Sequence, residues 1–391
     1  MKKVLLASSA LALVGAFASP AAAAEWDVKV GGYMTQTVGY GSSDFDDTTA
    51  LTGYPGDYDG IDVMSDSEVH FLPSITLDNG LKFGANVQLE GNTSGDQIDD
   101  SYLFVKGSFG EVLLGSENSA GYKMQYNAPN AGIVGINSGS MSAWIPFSFD
   151  GGELFRGTLG TTSLENNTNN DAQRITYFTP RFAGFQVGAS YARDDQQDSS
   201  GPVDADSELH DIIDLGANYV NSFGGFDLAV SGRWGTASKK GAADPDIWGT
   251  GINLGFGGFT VGGAYAVQND AGEKNGTAYD VGVAYETGPW GFSVEYFHGK
   301  NNGNSDGTGF FDNCTKFDAG TAPTCSEGEA DESGKEKLEQ ILVQGSYALA
   351  KGVTLGVFGA YVDFSDAGST EGGFDGSVDG FVIGTGVALS F

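Results

Sequence analysis

The sequence predicts an all-β chain, a sixteen-stranded antiparallel transmembrane β-barrel whose long third outer loop folds inward. Three observations predict it. An export leader opens the chain. Segments of about ten residues alternate strictly between apolar and polar along its whole length. The turns between those segments are alternately tight and long.

The leader comes first. Lys2 and Lys3 supply a positive start, Val4 to Phe17 an apolar stretch, and Ala22-Ala23-Ala24 the small residues of a cleavage site. Residues 1–24 are therefore read as a signal peptide, cleaved before Glu25, and 25–391 as one domain. A membrane anchor helix is the alternative, but the apolar run is short and lacks a stop-transfer pattern. Beyond the leader no apolar run is long enough for a membrane helix. An exported chain of this kind is either soluble or a barrel that turns half of each strand towards a wet lumen.

Composition narrows the class. The net charge of −32 is opposite in sign to that of a nucleic-acid binder, so no nucleic acid is expected as a partner. With 26 Phe and 16 Tyr the chain is too aromatic to be disordered.

Alternation of period two marks strands with one apolar and one wet face. Leu81, Phe83, Ala85, Val87 and Leu89 oppose Lys82, Gly84, Asn86, Gln88 and Glu90. Val28, Val30, Met34 and Val38 oppose Asp27, Lys29, Thr35 and Thr37. Phe226, Leu228, Val230 and Trp234 oppose Asp227, Ser231 and Arg233. Phe259, Val261, Tyr265 and Val267 oppose small residues, and Phe381, Ile383, Val387, Leu389 and Phe391 share a face of the last strand.

Tight turns follow at Asp78–Gly80, Gly107–Gly110, Pro180–Gly184, Asn221–Gly225, Phe256–Gly258, Thr287–Pro289 and Ala350–Gly352. Gly, Asn and Asp supply the positive φ that hairpins demand. Seven hairpins plus a first and a last strand make sixteen, with both termini at the tight-turn end. The other end carries longer loops near 41–67, 91–97, 117–172, 194–208, 236–245, 269–276, 300–337 and 365–376. Bacterial barrels have this parity, with short periplasmic turns and long outer loops. Aromatic residues gather at both strand ends, Phe182, Phe226, Phe259 and Trp290 at one, Tyr40, Trp234, Trp248 and Tyr361 at the other. Such rings prefer the lipid headgroup level, which makes them two girdles rather than ordinary sheet aromatics.

Sixteen strands enclose a lumen too wide for side chains to fill. The loop 117–172 is the candidate to narrow it. It carries Ile133, Val134, Ile136, Trp144, Ile145, Phe147, Phe149, Leu154 and Phe155, which must pack against something. Folded inward it would place Asp150 and Glu153 in the lumen. Lys29, Lys82, Arg174 and Arg233 have inward parity and are the candidate basic wall. Opposed charges would set up a transverse field, although these residues could equally lie away from the narrowest point.

The outer loops are acidic. Asp44, Asp46 and Asp47 belong to the first, Asp194, Asp195 and Asp198 to the fourth. They are either solvated faces or holders of a hard cation such as calcium, with no other cofactor required. Their charge should concentrate cations at the mouth and make the pore cation-preferring. Cys314 and Cys325 share one loop, and the oxidising exterior favours a disulfide between them over a metal site.

Several segments resemble the porins of alphaproteobacteria, including those of photosynthetic purple bacteria: RITYFTPRFAGFQVGASYARD at 174–194, DDSYLFVKGSFGEVLLGSEN at 99–118, GGYMTQTVGY at 31–40 and GTGVALSF at 384–391. The resemblance implies a general diffusion channel in the outer membrane, embedded in its lipid and assembled as a homotrimer. It implies that the third outer loop lies in the lumen, with Asp150, Glu153 and Arg174 matching an acidic loop facing a basic wall. It also implies that Phe391 is read by the barrel-assembly machinery.

Three rivals remain. Gly303-Asn304-Ser305-Asp306-Gly307 has the hydrolase pattern G-x-S-x-G, but in a loop without the strand-to-helix turn that gives it meaning. Gly372-Gly373-Phe374-Asp375-Gly376 is like one calcium-solenoid repeat, yet occurs once. A solute-specific channel would use an aromatic track, for which Tyr33, Tyr102, Phe104 and Phe178 are few.

Overall fold

The computed structural model describes residues 25–46, 59–92, 97–137, 144–145, 156–165, 170–197, 209–241, 243–271, 275–302, 336–366 and 377–391. The leader 1–24, the cysteines Cys314 and Cys325, Ser305 and the 372–376 segment lie outside them.

The strands are β1 (Asp27–Asp46), β2 (Gly60–Thr76), β3 (Lys82–Glu90), β4 (Ile98–Gly107), β5 (Gly110–Ser116), β6 (Gln173–Phe178), β7 (Phe185–Asp194) and β8 (Leu209–Phe223). They continue as β9 (Phe226–Lys239), β10 (Asp246–Phe256), β11 (Phe259–Asn269), β12 (Gly276–Thr287), β13 (Trp290–Asn301), β14 (Glu336–Ala350), β15 (Val353–Asp366) and β16 (Ser377–Ser390). Each pairs antiparallel with its neighbours in sequence, and β1 pairs with β16 to close the barrel. Closure removes the free edges that a bilayer cannot tolerate. The C-terminal residue completes the seam, because Gly32 and Phe391 exchange two backbone hydrogen bonds of 3.1 Å. Strands outrun the first expected loop, since β1 reaches Asp46 and β2 begins at Gly60.

The tight turns work through backbone geometry. Gly224 and Gly225 have φ of 56° and 101°, and Gly257 and Gly258 of 56° and 87°. These left-handed pairs match the strand twist that two-residue hairpins need.

The outer face is apolar because its solvent is lipid. Val30, Val63, Val187, Ile252, Val281, Val294, Val343 and Ile383 all stand exposed there. Aromatic rings touch along both rims. At the turn end Phe226 and Phe256 lie 5.9 Å apart, Phe259 and Tyr285 4.4 Å, and Trp290 and Tyr347 4.7 Å. At the loop end Trp248 meets Tyr265 at 5.5 Å and Tyr279 meets Tyr296 at 5.9 Å. Val281 lies between these rims and is 52% exposed. Val281→Arg is expected to destabilise the folded barrel by about 2–4 kcal/mol, the cost of a cation at the bilayer midplane. Urea unfolding in lipid vesicles measures it, with Val281→Thr as a nearly neutral control.

The buried apolar cluster lies inside the barrel. Ile136, Trp144, Ile145 and Leu159 from the third loop pack on Phe297, Leu338, Leu342, Phe358, Val362 and Val382 of the inner wall. The alternation predicts a polar lumen. From β13 to β16 Phe297, Leu338, Leu342, Phe358, Val362 and Val382 interrupt the polar inner face, because the loop covers them and excludes water.

Candidate channel and constriction

The third loop leaves β5 at Glu117 and rejoins the wall at β6. Its first turn is a short helix, α1 (Ala120–Met124), capped by Ser119, whose Oγ accepts from the Tyr122 N–H at 3.2 Å. The helix lies on the inner wall of β7 and β8. The Ala120 N–H donates to Ser190 Oγ at 3.1 Å, and the Asn218 side chain donates to the Met124 carbonyl at 3.2 Å.

From there the chain crosses the barrel strands as an extended ribbon and spends its backbone groups on wall side chains. Tyr126 N–H donates to Ser231 Oγ of β9 at 2.9 Å. Ala128 N–H donates to Asp280 Oδ1 of β12 at 2.7 Å, and Ala131 N–H to Ser293 Oγ of β13 at 3.3 Å. Ile133 and Val134 N–H both donate to Gln344 Oε1 of β14 at 3.1 Å, and Gln344 Nε2 returns a bond to the Val134 carbonyl at 2.9 Å. A ribbon crossing a sheet cannot join its ladder, so inward polar side chains satisfy its peptide groups.

Glycine makes the close approach possible. A Cβ on Gly216 would come within 2.8 Å of the Ala120 carbonyl, and one on Gly291 within 2.8 Å of the Ala131 carbonyl. At Gly251 the Tyr126 carbonyl occupies the space itself. Ile133 fills the room left by Gly356, and Trp144 that left by Gly39 on β1.

The returning limb is tied to the outgoing one. Gln125 Nε2 donates to the Thr162 carbonyl at 2.6 Å, and Asn127 Nδ2 to Ser163 Oγ at 2.7 Å. Glu165 Oε1 accepts from the Ser119 N–H at 2.9 Å, closing the loop at its base. Asp280 gathers both limbs. Besides Ala128 it accepts from Asn137 Nδ2 at 2.9 Å, Thr162 Oγ1 at 2.5 Å and its wall neighbour Ala264 N–H at 2.8 Å.

The basic residues expected on the wall divide into two kinds. Arg174 and Arg233 point inward but are buried under the loop. Arg174 donates to the carbonyls of Ala172 at 3.2 Å and Asn170 at 2.9 Å. Arg233 pairs with Asp214 at 2.8 Å and Glu165 at 3.7 Å and donates to the Leu164 carbonyl. These two guanidiniums hold the loop in place. Lys29 and Lys82 are accessible but lie at the turn end, Lys29 3.0 Å from Asp27 and Lys82 over the Phe104 ring at 5.8 Å. Asp150 and Glu153 fall outside the described residues, as does Asp47. Asp44 is an exposed residue near the end of β1, and Asp46 ends that strand.

The described residues of the loop leave the wall from β1 to β5 largely uncovered, apart from Trp144 over Gly39 of β1 and α1 against Leu113 of β5, and towards the long-loop end the charge there is acidic. Asp66, Glu68, Glu90 and Asp99 stand on it towards the long-loop end. Tyr33 OH donates to Asp66 at 3.0 Å and Glu68 at 2.8 Å, and His70 Nε2 lies 2.7 Å from Glu68. A register shift between Val87 and Leu89 sets Asp99 and Asp100 together opposite Gln88, so both turn inward. Oxygens of Glu68, Glu90 and Asp99 lie within 4.8 Å of one another, a spacing that hard cations bridge. Of the inward aromatics, Tyr33 stands on this wall, Tyr102 and Phe104 pack at its edge against the cluster of Leu113 and α1, and Phe178 is buried in that cluster.

A closed barrel that is apolar outside, polar along one inner wall and narrowed by a loop laid on the other defines a transmembrane channel. The chain belongs to the Gram-negative porin family, whose family model matches residues 7–367. It is an outer-membrane channel protein, of a family that is not enzymatic. A porin of Rhodobacter capsulatus is 24% identical over 259 residues, covering 59% of this chain and 86% of that protein. The fold is shared with the anion-selective porin from Comamonas acidovorans (TM-score 0.58, 19% identity, 94% of this chain and 100% of that one). It is also shared with the trimer form of OmpT from Vibrio cholerae (TM-score 0.55, 15% identity, 95% and 100%).

Proposed function

We propose that this porin is a water-filled pore for passive diffusion of ions and small hydrophilic solutes, with a preference for cations. The observation that supports it is the acidic inner wall of β2 to β4. Solutes pass between the loop and β1–β5, and the charges met towards the long-loop end of that wall include Asp62, Asp66, Glu68, Glu90 and Asp99. Carboxylates lining a narrow, low-dielectric passage raise the local cation concentration and repel anions. The acidic outer loops act in the same direction. Selectivity lives in side chains rather than in the barrel, so a shared fold with an anion-selective porin is compatible with the opposite preference.

Planar-bilayer recording in a salt gradient tests this. The reversal potential should shift towards the cation potential. In Glu68→Gln/Glu90→Gln/Asp99→Asn the cation-to-anion permeability ratio should fall about threefold or more, with conductance changed less. An anion-shifted wild-type reversal potential would sink the reading.

We take the assembly to be a homotrimer in outer-membrane lipid, the form named for Vibrio cholerae OmpT. Three equal conductance sublevels per insertion would support it. Phe391, exposed at the seam, is the residue offered to the barrel-assembly machinery.

A further inference from the structure

We propose that the channel rectifies, passing more current when cations are driven from the outer mouth towards the periplasm than when they are driven back. This rests on the pore reading above and adds a direction to it.

Among the described residues, the charge on the wall from β1 to β5 is unequal along the pore axis. At the long-loop end stand Asp62, Asp66 and Glu68 of β2, Glu90 of β3 and Asp99 of β4, with His70 as their imidazole neighbour. Lys123 of α1 comes close, but it is 2.7 Å from Glu117 and adds no net positive charge. At the turn end signs offset. Lys29 pairs with Asp27 at 3.0 Å and Lys106 with Glu111 at 3.0 Å, while Lys82 lies directly opposite Lys106 in the β3–β4 register. Around the same rim Arg181 donates to Asn218 and Gln186, and Asp227 and Glu286 face inward.

Lys82 and Glu90 are the two ends of β3. Eight steps of about 3.4 Å put them roughly 27 Å apart along the strand, or roughly 20 Å along the axis for a tilt near 40°. The Debye length is about 8 Å at physiological salt, so the two ends act independently. The outer half is then a cation-selective segment in series with a nearly neutral one. Cations driven out of the selective segment into the neutral one accumulate at the junction with incoming anions, and conductance rises. The reverse voltage depletes both ions there, and conductance falls.

The test is a current–voltage curve from single insertions of the full mature protein. Orientation is assigned by the side from which an antibody to an N-terminal epitope tag perturbs the current. In 0.1 M KCl the current with the long-loop side positive should exceed that at the opposite voltage by about 1.5- to 2-fold. The ratio should approach one in 1 M KCl, where screening shortens to about 3 Å. It should also approach one in Glu68→Gln/Glu90→Gln/Asp99→Asn. A symmetric curve at 0.1 M, the opposite sign, or asymmetry that survives 1 M salt overturns the proposal. The reversal potential in the same bilayers separates the two readings. A cation-shifted but symmetric channel removes rectification alone, whereas an unshifted reversal potential removes the cation preference on which it rests.

Discussion

Asp280→Ala is expected to unseat the constriction loop while leaving the barrel closed, raising single-channel conductance and current noise together. Asp280 is fully buried and has no basic partner among the described residues; four hydrogen-bond donors hold its carboxylate. Three of them belong to the loop: Ala128 on the outgoing limb, Asn137 beyond it and Thr162 on the return. Hydrogen bonds to a charged group contribute about 1.5–3 kcal/mol each. Relief of the buried charge offsets part of that, so the net loss of loop seating should be about 3 kcal/mol. Asp280→Asn keeps an acceptor for Ala128 and Ala264 but turns a donor towards Asn137 and Thr162, and should fall between. Heat-modifiable migration on gels checks that the barrel has folded. Unchanged conductance from folded Asp280→Ala would show that the loop is held elsewhere.

The largest effect on stability is expected at Arg233. Its side chain and those of Asp214 and Glu165 are at most 2% exposed. Removing the guanidinium takes the paired cation from two buried carboxylates and the donor from the Leu164 carbonyl. Breaking such a group by deleting one partner costs about 3–5 kcal/mol. Arg233→Ala should lower the temperature at which the protein loses its folded gel mobility by several degrees, and Arg233→Lys by less. Restoring neutrality with Arg233→Ala/Asp214→Asn/Glu165→Gln should recover part of the loss. A variant as stable as wild type would mean that water reaches these carboxylates.

The two expectations together explain why inward parity was only half a guide to function. Lys29, Lys82, Arg174 and Arg233 share it, yet two line an accessible rim and two lie under the third loop, whose Leu164 reaches Arg233 from 69 residues away. Parity fixes the face of a strand, not its height or what covers it. The anchors Asp280, Gln344, Ser231 and Ser293 are open to the same oversight, since each reads as one more polar lumen residue. A signal was nevertheless present. From β13 onward Phe297, Leu338, Leu342 and Phe358 break the polar side of the alternation, which marks an inner face that water does not touch. The pairing of Glu68 with Glu90 and the bulge that turns Asp99 inward carried no local signal at all.

By itself the sequence determined the strands, their faces, the tight turns and the long third loop. These are local properties: alternation repeats every two residues, and a hairpin needs its glycines in place. Only the tertiary structure decided where the loop lies, which arginines it buries and which carboxylates remain on the open wall. Those outcomes depend on side chains more than a hundred residues apart, as Ala128 is from Asp280 and Ile133 from Gln344. No period in the chain encodes such a contact. It forms because a ribbon crossing the sheet must find partners for its peptide groups, and the closed barrel holds those partners at fixed positions.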